Sequence, residues 1–356
     1  MSFVIFEDDE YNEFFARLKN SKMILHPIHS IDGEMDHSLV MDINKRESFL
    51  ILDRNIVSYL MTILTVGKLE NKETMQSVAS VICFGLMKGM NISSGFALCE
   101  YSYHQKNSDM VQKELNLFLS IFEDNPIQTW LDLALGKIDR INVWKSGEFI
   151  VRDPQSTFDM EPDQFLMHKA ELLHLVSLLK NPNLKNHEKV IRFLNWIEDF
   201  GVISIYMLNY VLHIFSKKSQ VIKPLKGING TIDDILKICE NQAWDFAYLS
   251  IWSSFYWDEA DNNQLWLFAT NDTNLKSIFS LTNSNNQDEY IELITSLYSR
   301  SESNEILSVF NLMIEKRRNK KIDLKHRMSE TYIKSLIEKE VKLLNSKGAV
   351  GLLETF

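Results

Sequence analysis

The sequence predicts an α/β fold with a central parallel sheet, a large α-helical insertion and an α-helical C-terminal tail. Two apolar runs, residues 49–52 and 265–269, lead into an aspartate, as strands buried on both faces of a parallel sheet often do. Several longer stretches between them carry apolar residues at helical spacing. Strands that alternate with helices are typical of an α/β domain.

The composition narrows the classes of protein to which the chain can belong. Its 356 residues, 45% of them hydrophobic, suffice for two domains or for one domain with a large insertion. A net charge of −10 argues against a protein that coats nucleic acid over its whole surface. The cysteines lie in apolar surroundings without CxxC spacing, so we expect reduced core residues in a cytoplasmic protein. They are Cys83, Cys99 and Cys239.

Neither secretion nor membrane insertion is expected from the sequence. The first residues lack the basic start of a signal peptide. The longest apolar run, residues 202–215, is too short to span a bilayer and fits a buried helix. We therefore expect no membrane partner.

The first strand brings an acid to the edge of the predicted sheet. Residues 1–46 form a mixed segment in which 11–18 has helical spacing and 23–25 fits a short strand. The strand over 49–52 then ends at Asp53, at the edge where open α/β sheets bind ligands. Asp53 or Asn55 can equally serve as the N-cap of the helix that follows.

Three further acids occur in similar settings along the chain. Glu100 lies near the start of a helix that follows a short strand and a Ser-Ser-Gly turn. Asp245 lies on a helix that is otherwise apolar nearly all round, where an unpaired carboxylate is costly unless it binds a metal. Asp272 follows the strand over 265–269 and can also cap the next helix.

These four acids can converge on one edge of a parallel sheet with right-handed crossovers. Carboxylates gathered in this way repel one another unless cations neutralise them. Mg²⁺ and Mn²⁺ suit all-oxygen ligands, and at such a site they activate water for attack on a phosphodiester. The candidate ligands are Asp53, Glu100, Asp245 and Asp272.

The order and context of the acids resemble those of the PIN-like domain nucleases. Asp53-Arg54-Asn55 is similar to the opening Asp-x-Asn signature of that family, and Thr270-Asn271-Asp272 is similar to its closing Thr-x-Asp. Glu100 and Asp245 resemble its second and third acids. The resemblance covers roughly residues 47–108 and 231–282. The long insertion between the second and third acids departs from the family pattern, and Glu114 is an alternative to Glu100 if the insertion begins earlier.

The resemblance implies a three-layer PIN-like domain built from two parts of the chain. The first part is 47–108 and the second is 231–300. The remaining regions are the N-terminal segment 1–46, the helical insertion 109–230 and the basic helical C-terminal region 301–356.

The resemblance also implies a metal-dependent nuclease that hydrolyses phosphodiester bonds, of RNA rather than DNA. Asp53, Asp245 and Asp272 would hold Mg²⁺ or Mn²⁺, and Glu100 would bind the ion or position the water. Thr270 and Asn55 would support these ligands through hydrogen bonds.

Two different roles remain open at this point. By analogy of fold, a nuclease with large helical additions would suit a bacterial toxin or a phage-defence effector with an inhibitory or activating protein partner. The alternative is a non-catalytic adaptor on the same fold, in which the helices bind a partner protein and the acids are only helix caps.

Two other groups of residues have alternative explanations. The basic residues of the tail can contact RNA phosphates or simply form a solvated helix face. His168, Glu171 and His174 lack the spacing that would place all three on one face of a helix, so we expect core or surface roles. The candidate phosphate contacts are Lys316, Arg317, Arg318, Lys320 and Lys321.

Overall fold

The computed structural model describes most of the chain and divides it into two compact units. The first unit holds the described residues of Met1–Met160 and Trp252–Lys276, and the second holds those of Glu161–Ile251 and Ser277–Phe356. The described residues are 6–7, 9–28, 35, 37–122, 125–143, 158, 161–218, 225, 227–257, 263–281, 286–319 and 322–347.

The first unit contains a four-stranded mixed sheet in the order β1-β4-β2-β3. β2 (Glu47–Leu52) is parallel to β3 (Asn91–Ser93) on one side and to β4 (Gln264–Ala269) on the other. β1 (Ile24–Leu25) pairs with β4 in the antiparallel direction. The α/β class is therefore confirmed. The sheet was predicted to be parallel, but β1 makes it mixed. A strand of two residues does not encode its own direction, which depends on the strand with which it pairs.

Most of the core of the first unit lies between the sheet and its helices. The buried strand residues Leu50, Leu52 and Leu267 belong to the same cluster as the apolar faces of α3 and α4. The helices of this unit are α1 (Glu10–Ser21), α2 (His37–Ile43), α3 (Arg54–Val66), α4 (Lys72–Met87), α5 (Gly95–Gln105), α6 (Ser108–Leu119) and α7 (Ile127–Leu135), with a 3₁₀ turn at Ser120–Phe122.

Close packing of α4 on the sheet depends on Gly85. A Cβ at this position would lie 2.9 Å from Ile92 Cδ1 and 3.2 Å from Leu50 Cδ2. A larger residue would force the side chains of Ile92 and Leu50 to shift, so glycine favours the close approach of the helix to β2 and β3.

The described residues of the second unit form helices and the turns between them. α14 (Arg300–Asn319) packs against α9 (Asn186–Asp199), and α16 (Glu330–Lys347) packs against α8 (Asp163–Leu179). The later part of the predicted insertion and the predicted C-terminal tail therefore form one body. Its helices are α8 (Asp163–Leu179), α9 (Asn186–Asp199), α10 (Ile205–Ile214), α11 (Ile232–Trp257), α13 (Gln287–Leu297), α14 (Arg300–Asn319), α15 (Leu324–Arg327) and α16 (Glu330–Lys347), while α11 and α12 (Thr273–Ser280) each contribute residues to both units.

The boundaries of the compact units differ from the predicted ones. The insertion was expected to begin at 109, but α6 packs on α3 and α5, and α7 packs on α4. Both helices therefore belong to the first unit, which extends to Met160. Helical spacing reveals a buried face but does not identify the element that covers it.

Two further expectations concern the cysteines and the membrane. All three cysteines are free, with Cys83 and Cys239 buried and Cys99 partly exposed. Within the described ranges, no helix has both the length and the apolar character that crossing a bilayer requires.

Candidate functional site

Asp53 lies where β2 ends and α3 begins. Its backbone N–H donates to the carbonyl of Ala269 at 2.9 Å, which continues the pairing of β2 with β4. Its Oδ1 accepts a hydrogen bond from the N–H of Arg54 at 2.6 Å. Asp53 therefore caps α3, and the same backbone geometry holds its carboxylate against the end of β4.

Thr270 and Asn55 hold the second oxygen of this carboxylate. The hydroxyl of the fully buried Thr270 donates to Asp53 Oδ2 at 2.6 Å. Asn55 Nδ2 donates to the same oxygen and lies 3.2 Å from Thr270 Oγ1. Asn55 Oδ1 in turn accepts from the N–H of Asn271 at 3.0 Å. Both residues predicted to support Asp53 are thus in contact with it.

Asp272 is joined to Asp53 through the hydroxyl of Thr270. The N–H of Asp272 donates to Thr270 Oγ1 at 2.9 Å. Its Oδ1 accepts from the N–H groups of Asn274 and Leu275 at 2.7 and 2.9 Å, so Asp272 caps α12. Two of the predicted acids therefore follow neighbouring parallel strands at the same edge of the sheet.

Burial raises the pKa of Asp53 to about 6. The residue is only 4% exposed, and loss of water disfavours its charged form. Hydrogen bonds from Thr270, Asn55 and the N–H of Arg54 lower the pKa, whereas the nearby charge of Asp272 raises it. A cation between these two acids would relieve both the desolvation and the repulsion.

The N-terminal segment contributes to this edge, which the sequence analysis missed. The N–H of Thr270 donates to the carbonyl of Met23 at 2.9 Å, just beyond the pairing of β1 with β4. Lys22 precedes Met23, and Lys276 lies one turn after Asp272 on α12. Burial lowers the pKa of Lys276, the charge of Asp272 raises it and the charge of Lys22 lowers it. Lys276 therefore lies near both Asp272 and Lys22. The short strand predicted over 23–25 is thus present as β1, but no signal in the sequence placed it beside Asp272.

The two residues considered for the second acid lie in different surroundings. Glu100 is partly exposed on α5, with Oε1 3.9 Å from His104 Nε2. Glu114 is buried on α6, where both of its carboxylate oxygens accept from Arg54. The guanidinium of Arg54 also lies 4.3 Å from the centre of the Tyr101 ring. Glu114 thus neutralises Arg54, and this ion pair explains why the Glu114 carboxylate can be buried without a metal ion.

Asp245 lies on α11 within the second unit. Its Oδ2 accepts a hydrogen bond from Gln242 Nε2 at 2.8 Å. The side chain is half-buried rather than enclosed by apolar residues as expected. Burial is the main cause of the raised pKa of Tyr210, and the negative charge of Asp245 raises it further.

The basic residues of the tail do not form one exposed group. Arg317 Nε donates to Glu198 Oε2 at 2.9 Å, and its Nη2 donates to the carbonyl of Ile197 at 3.0 Å. It therefore anchors α14 to α9. Lys316 and Arg318 are exposed, and the latter donates to Gln287 at 3.0 Å. The other two candidate phosphate contacts, Lys320 and Lys321, lie outside the described residues.

The oxygen ligands at the sheet edge fit a divalent cation, but the described residues do not assemble the full predicted set. Mg²⁺ is commonly held by one or two carboxylates together with waters and substrate phosphates, which Asp53 and Asp272 can satisfy. Across the described part of the chain, no three His, Cys, Asp or Glu side chains are grouped closely enough to hold a metal ion. In the first unit, Glu100 accordingly does not join this pair.

Comparisons with protein-family models, curated proteins and solved structures gave no match to the chain.

Proposed function

We propose that the chain is a metal-dependent nuclease that hydrolyses phosphodiester bonds, of RNA in preference to DNA. The observation that carries this proposal is the contact between Asp53, Thr270 and the backbone of Asp272. One buried hydroxyl joins two acids at the carboxyl ends of neighbouring parallel strands, where open α/β sheets bind ligands. The resemblance of these residues to the PIN-like signatures supports the same function.

In this proposal Asp53 and Asp272 hold Mg²⁺ or Mn²⁺. When bound, the ion lowers the pKa of a water and stabilises the leaving oxygen of the phosphodiester. Thr270 and Asn55 donate to Asp53 Oδ2 and so keep its carboxylate in one orientation. With a pKa of about 6, Asp53 is mainly ionised at neutral pH, as a metal ligand must be.

Two lysines place positive charge beside the predicted site, although the chain as a whole is acidic. Lys276 lies close enough to both Asp272 and Lys22 for their charges to interact with its own. Phosphate groups of a nucleic acid would be attracted to such a pair, while the acidic remainder of the protein repels them. This arrangement supports a local substrate site rather than a surface that coats nucleic acid.

The separate helical unit suits a nuclease that is controlled by another protein. A bacterial toxin or a phage-defence effector with an inhibitory or activating partner is the corresponding biological role, by analogy of fold.

A second candidate is a non-catalytic protein-interaction adaptor. It is favoured by the helix-capping bonds that Asp53 and Asp272 both accept. Capping alone can account for an aspartate at each position.

Titration of Mn²⁺ by calorimetry, with cleavage of a labelled single-stranded RNA followed in the same buffer, separates the two candidates. We expect wild type to bind and cleave, and the double variant Asp53→Asn/Asp272→Asn to do neither. Asp139→Asn is the matched control, because this carboxylate is exposed and paired with Lys72 at the surface. Wild type that neither binds nor cleaves would leave the adaptor as the better explanation.

Two single variants extend the same experiment to the acids on helices. Glu100→Gln and Asp245→Asn should each leave Mn²⁺ affinity within about threefold of wild type if Asp53 and Asp272 are the only ligands. A tenfold loss, equal to about 1.4 kcal/mol, would add the substituted residue to the metal site.

A further inference from the structure

Three polar side chains of the second unit form a hydrogen-bonded chain that the proposed nuclease does not use. His168 and Glu171 lie three residues apart on α8, and Ser250 lies on α11. His168 Nδ1 is 2.7 Å from Glu171 Oε2, and His168 Nε2 is 2.8 Å from Ser250 Oγ. His174, considered with them from the sequence, instead contacts Glu340.

The ionisation state of Glu171 determines the direction of each hydrogen bond, through the tautomer of His168 that it selects. Burial raises the pKa of the Glu171 carboxyl, and the charge of the adjacent His168 and the hydrogen bond to it lower that pKa. An ionised Glu171 carboxylate only accepts, so Nδ1 of His168 carries the proton and donates to it. The lone pair of Nε2 then faces Ser250, whose hydroxyl donates to it. A serine hydroxyl bonded to a histidine that a buried carboxylate orients is the arrangement that activates serine nucleophiles on unrelated folds.

Burial of the carboxylate supports this assignment. Glu171 is 0% exposed, and its Oε1 has no hydrogen-bond partner in the described structure. An uncompensated buried carboxylate is costly, and a positive charge on the adjacent imidazole offsets that cost. Glu171 therefore favours the transfer of a proton from Ser250 to His168.

Ser250 differs from its two partners in exposure. His168 is 3% exposed, whereas Ser250 is partly exposed. Ser250 thus lies at the partly exposed end of this chain of hydrogen bonds, while His168 and Glu171 are shielded from water.

The amino end of α10 lies beside the same hydroxyl. Ser204, the N-cap of α10, has its Oγ 3.5 Å from Ser250 Oγ. The first N–H groups of a helix have no carbonyl partner within the helix, and its dipole is positive at this end. An oxyanion formed at Ser250 would therefore lie next to groups that favour negative charge.

The neighbours of the two serines indicate the chemical class of the substrate. Ile203 and Ile205 flank Ser204, and Ile251 follows Ser250; all three are partly exposed. Aliphatic side chains around a nucleophile favour a small apolar acyl group over a charged one.

We propose that Ser250, His168 and Glu171 form a metal-independent esterase site for small apolar carboxylic esters. Ser250 Oγ bonds to the ester carbonyl carbon as its proton passes to His168 Nε2. The bond to the alcohol oxygen then breaks, and His168 returns the proton to the departing alcohol. A water molecule cleaves the acyl-serine by the same route, releases the carboxylic acid and restores the serine.

A fluorophosphonate probe tests this site, since the same attack at phosphorus releases fluoride and leaves a stable mass on the serine. We incubate the full chain with the probe in the presence of EDTA and locate the label by peptide mass spectrometry. Label on Ser250 is expected, with none on Ser254, which is exposed one turn further along α11 and serves as the internal control. Hydrolysis of p-nitrophenyl acetate should be lost in Ser250→Ala.

The variants His168→Gln and Glu171→Gln test the dependence on the other two residues. Each should slow labelling of Ser250 by at least tenfold while thermal unfolding shows that the protein is still folded. Equal labelling of Ser254, or no label on Ser250 with either the probe or the smaller diisopropyl fluorophosphate, would overturn the proposal. Labelling of the wild-type protein tests the proposal even if the variants do not fold. EDTA removes the metal ion that the proposed nuclease needs, so the two activities are measured separately.

Discussion

At the scale of single residues, Asp53 combines two opposing requirements. A buried carboxylate is costly when charged, and three hydrogen bonds to its oxygens only partly offset that cost, so its pKa is about 6 in the folded protein. Its ordinary value is 3.8. The folded protein therefore binds the proton more tightly than the unfolded chain does, and Asp53 destabilises the fold at neutral pH.

This difference predicts how stability changes with pH. The free energy of unfolding of wild type should fall, relative to that of Asp53→Asn, as the pH rises from about 4 to about 6, and should then level off. Two pKa units correspond to roughly 3 kcal/mol as an upper estimate. Urea unfolding of both proteins at pH 4, 5, 6 and 7 measures the change.

Unfolding in the presence of Mn²⁺ is the control for this pH dependence. Saturating Mn²⁺ should restore stability to wild type at pH 7 and have no effect on Asp53→Asn, because a ligand stabilises only the state that binds it. A wild type that gains stability relative to Asp53→Asn between pH 4 and 6 would contradict the raised pKa.

At the scale of elements, the pair between Arg54 and Glu114 ties α3 to α6. The two terminal nitrogens of Arg54, Nη1 and Nη2, donate to the carboxylate, and the two side chains are only 20% and 8% exposed. Arg54 directly follows Asp53, so the pair also fixes the start of the helix that Asp53 caps. The structural role of Glu114 is to hold that helix in place.

Removal of one partner should therefore be costly. Glu114→Ala leaves Arg54 buried without a counter-charge, and we expect it to lower the free energy of unfolding by about 3 kcal/mol. The double variant Arg54→Met/Glu114→Leu should recover most of this loss. Asp139→Asn breaks an exposed ion pair with Lys72 and should leave stability almost unchanged in the same denaturant titration. Equal effects of Glu114→Ala and Asp139→Asn would contradict the structural role.

At the scale of the whole molecule, the C-terminal tail completes the helical unit. Glu340 on α16 is 1% exposed, and its oxygens accept from Trp196 Nε1 at 2.9 Å and contact His174 Nδ1 at 3.1 Å. The tail therefore packs against the other helices of the unit and also provides the carboxylate that contacts Trp196 and His174. Residues 161–199 and 330–347 should fold together although more than a hundred residues separate them.

A truncated chain tests this dependence. Ending the chain at Ser329 removes α16, so the amide hydrogens of α8 should lose most of their protection against exchange, while those of β2 and β4 keep theirs. Hydrogen–deuterium exchange followed by mass spectrometry measures both regions in one experiment. Glu338→Ala, on the exposed side of α16, is the control and should leave both patterns unchanged. Full protection of α8 in the truncated chain would show that the tail is dispensable.

The sequence by itself determined the elements whose pattern is local. The apolar runs over 49–52 and 265–269 form strands, and Asp53 and Asp272 cap the helices that follow them. These features depend on strand burial and on helix capping, which involve residues close together in the chain.

Only the tertiary structure decided which distant side chains meet. The direction of β1, the pairing of Arg54 with Glu114 and the approach of His168 to Ser250 each join residues far apart in sequence. No local pattern encodes such contacts, because they depend on how whole helices and strands pack. The same physical reason explains why four acids in suitable settings yielded, in the first unit, only the pair Asp53 and Asp272.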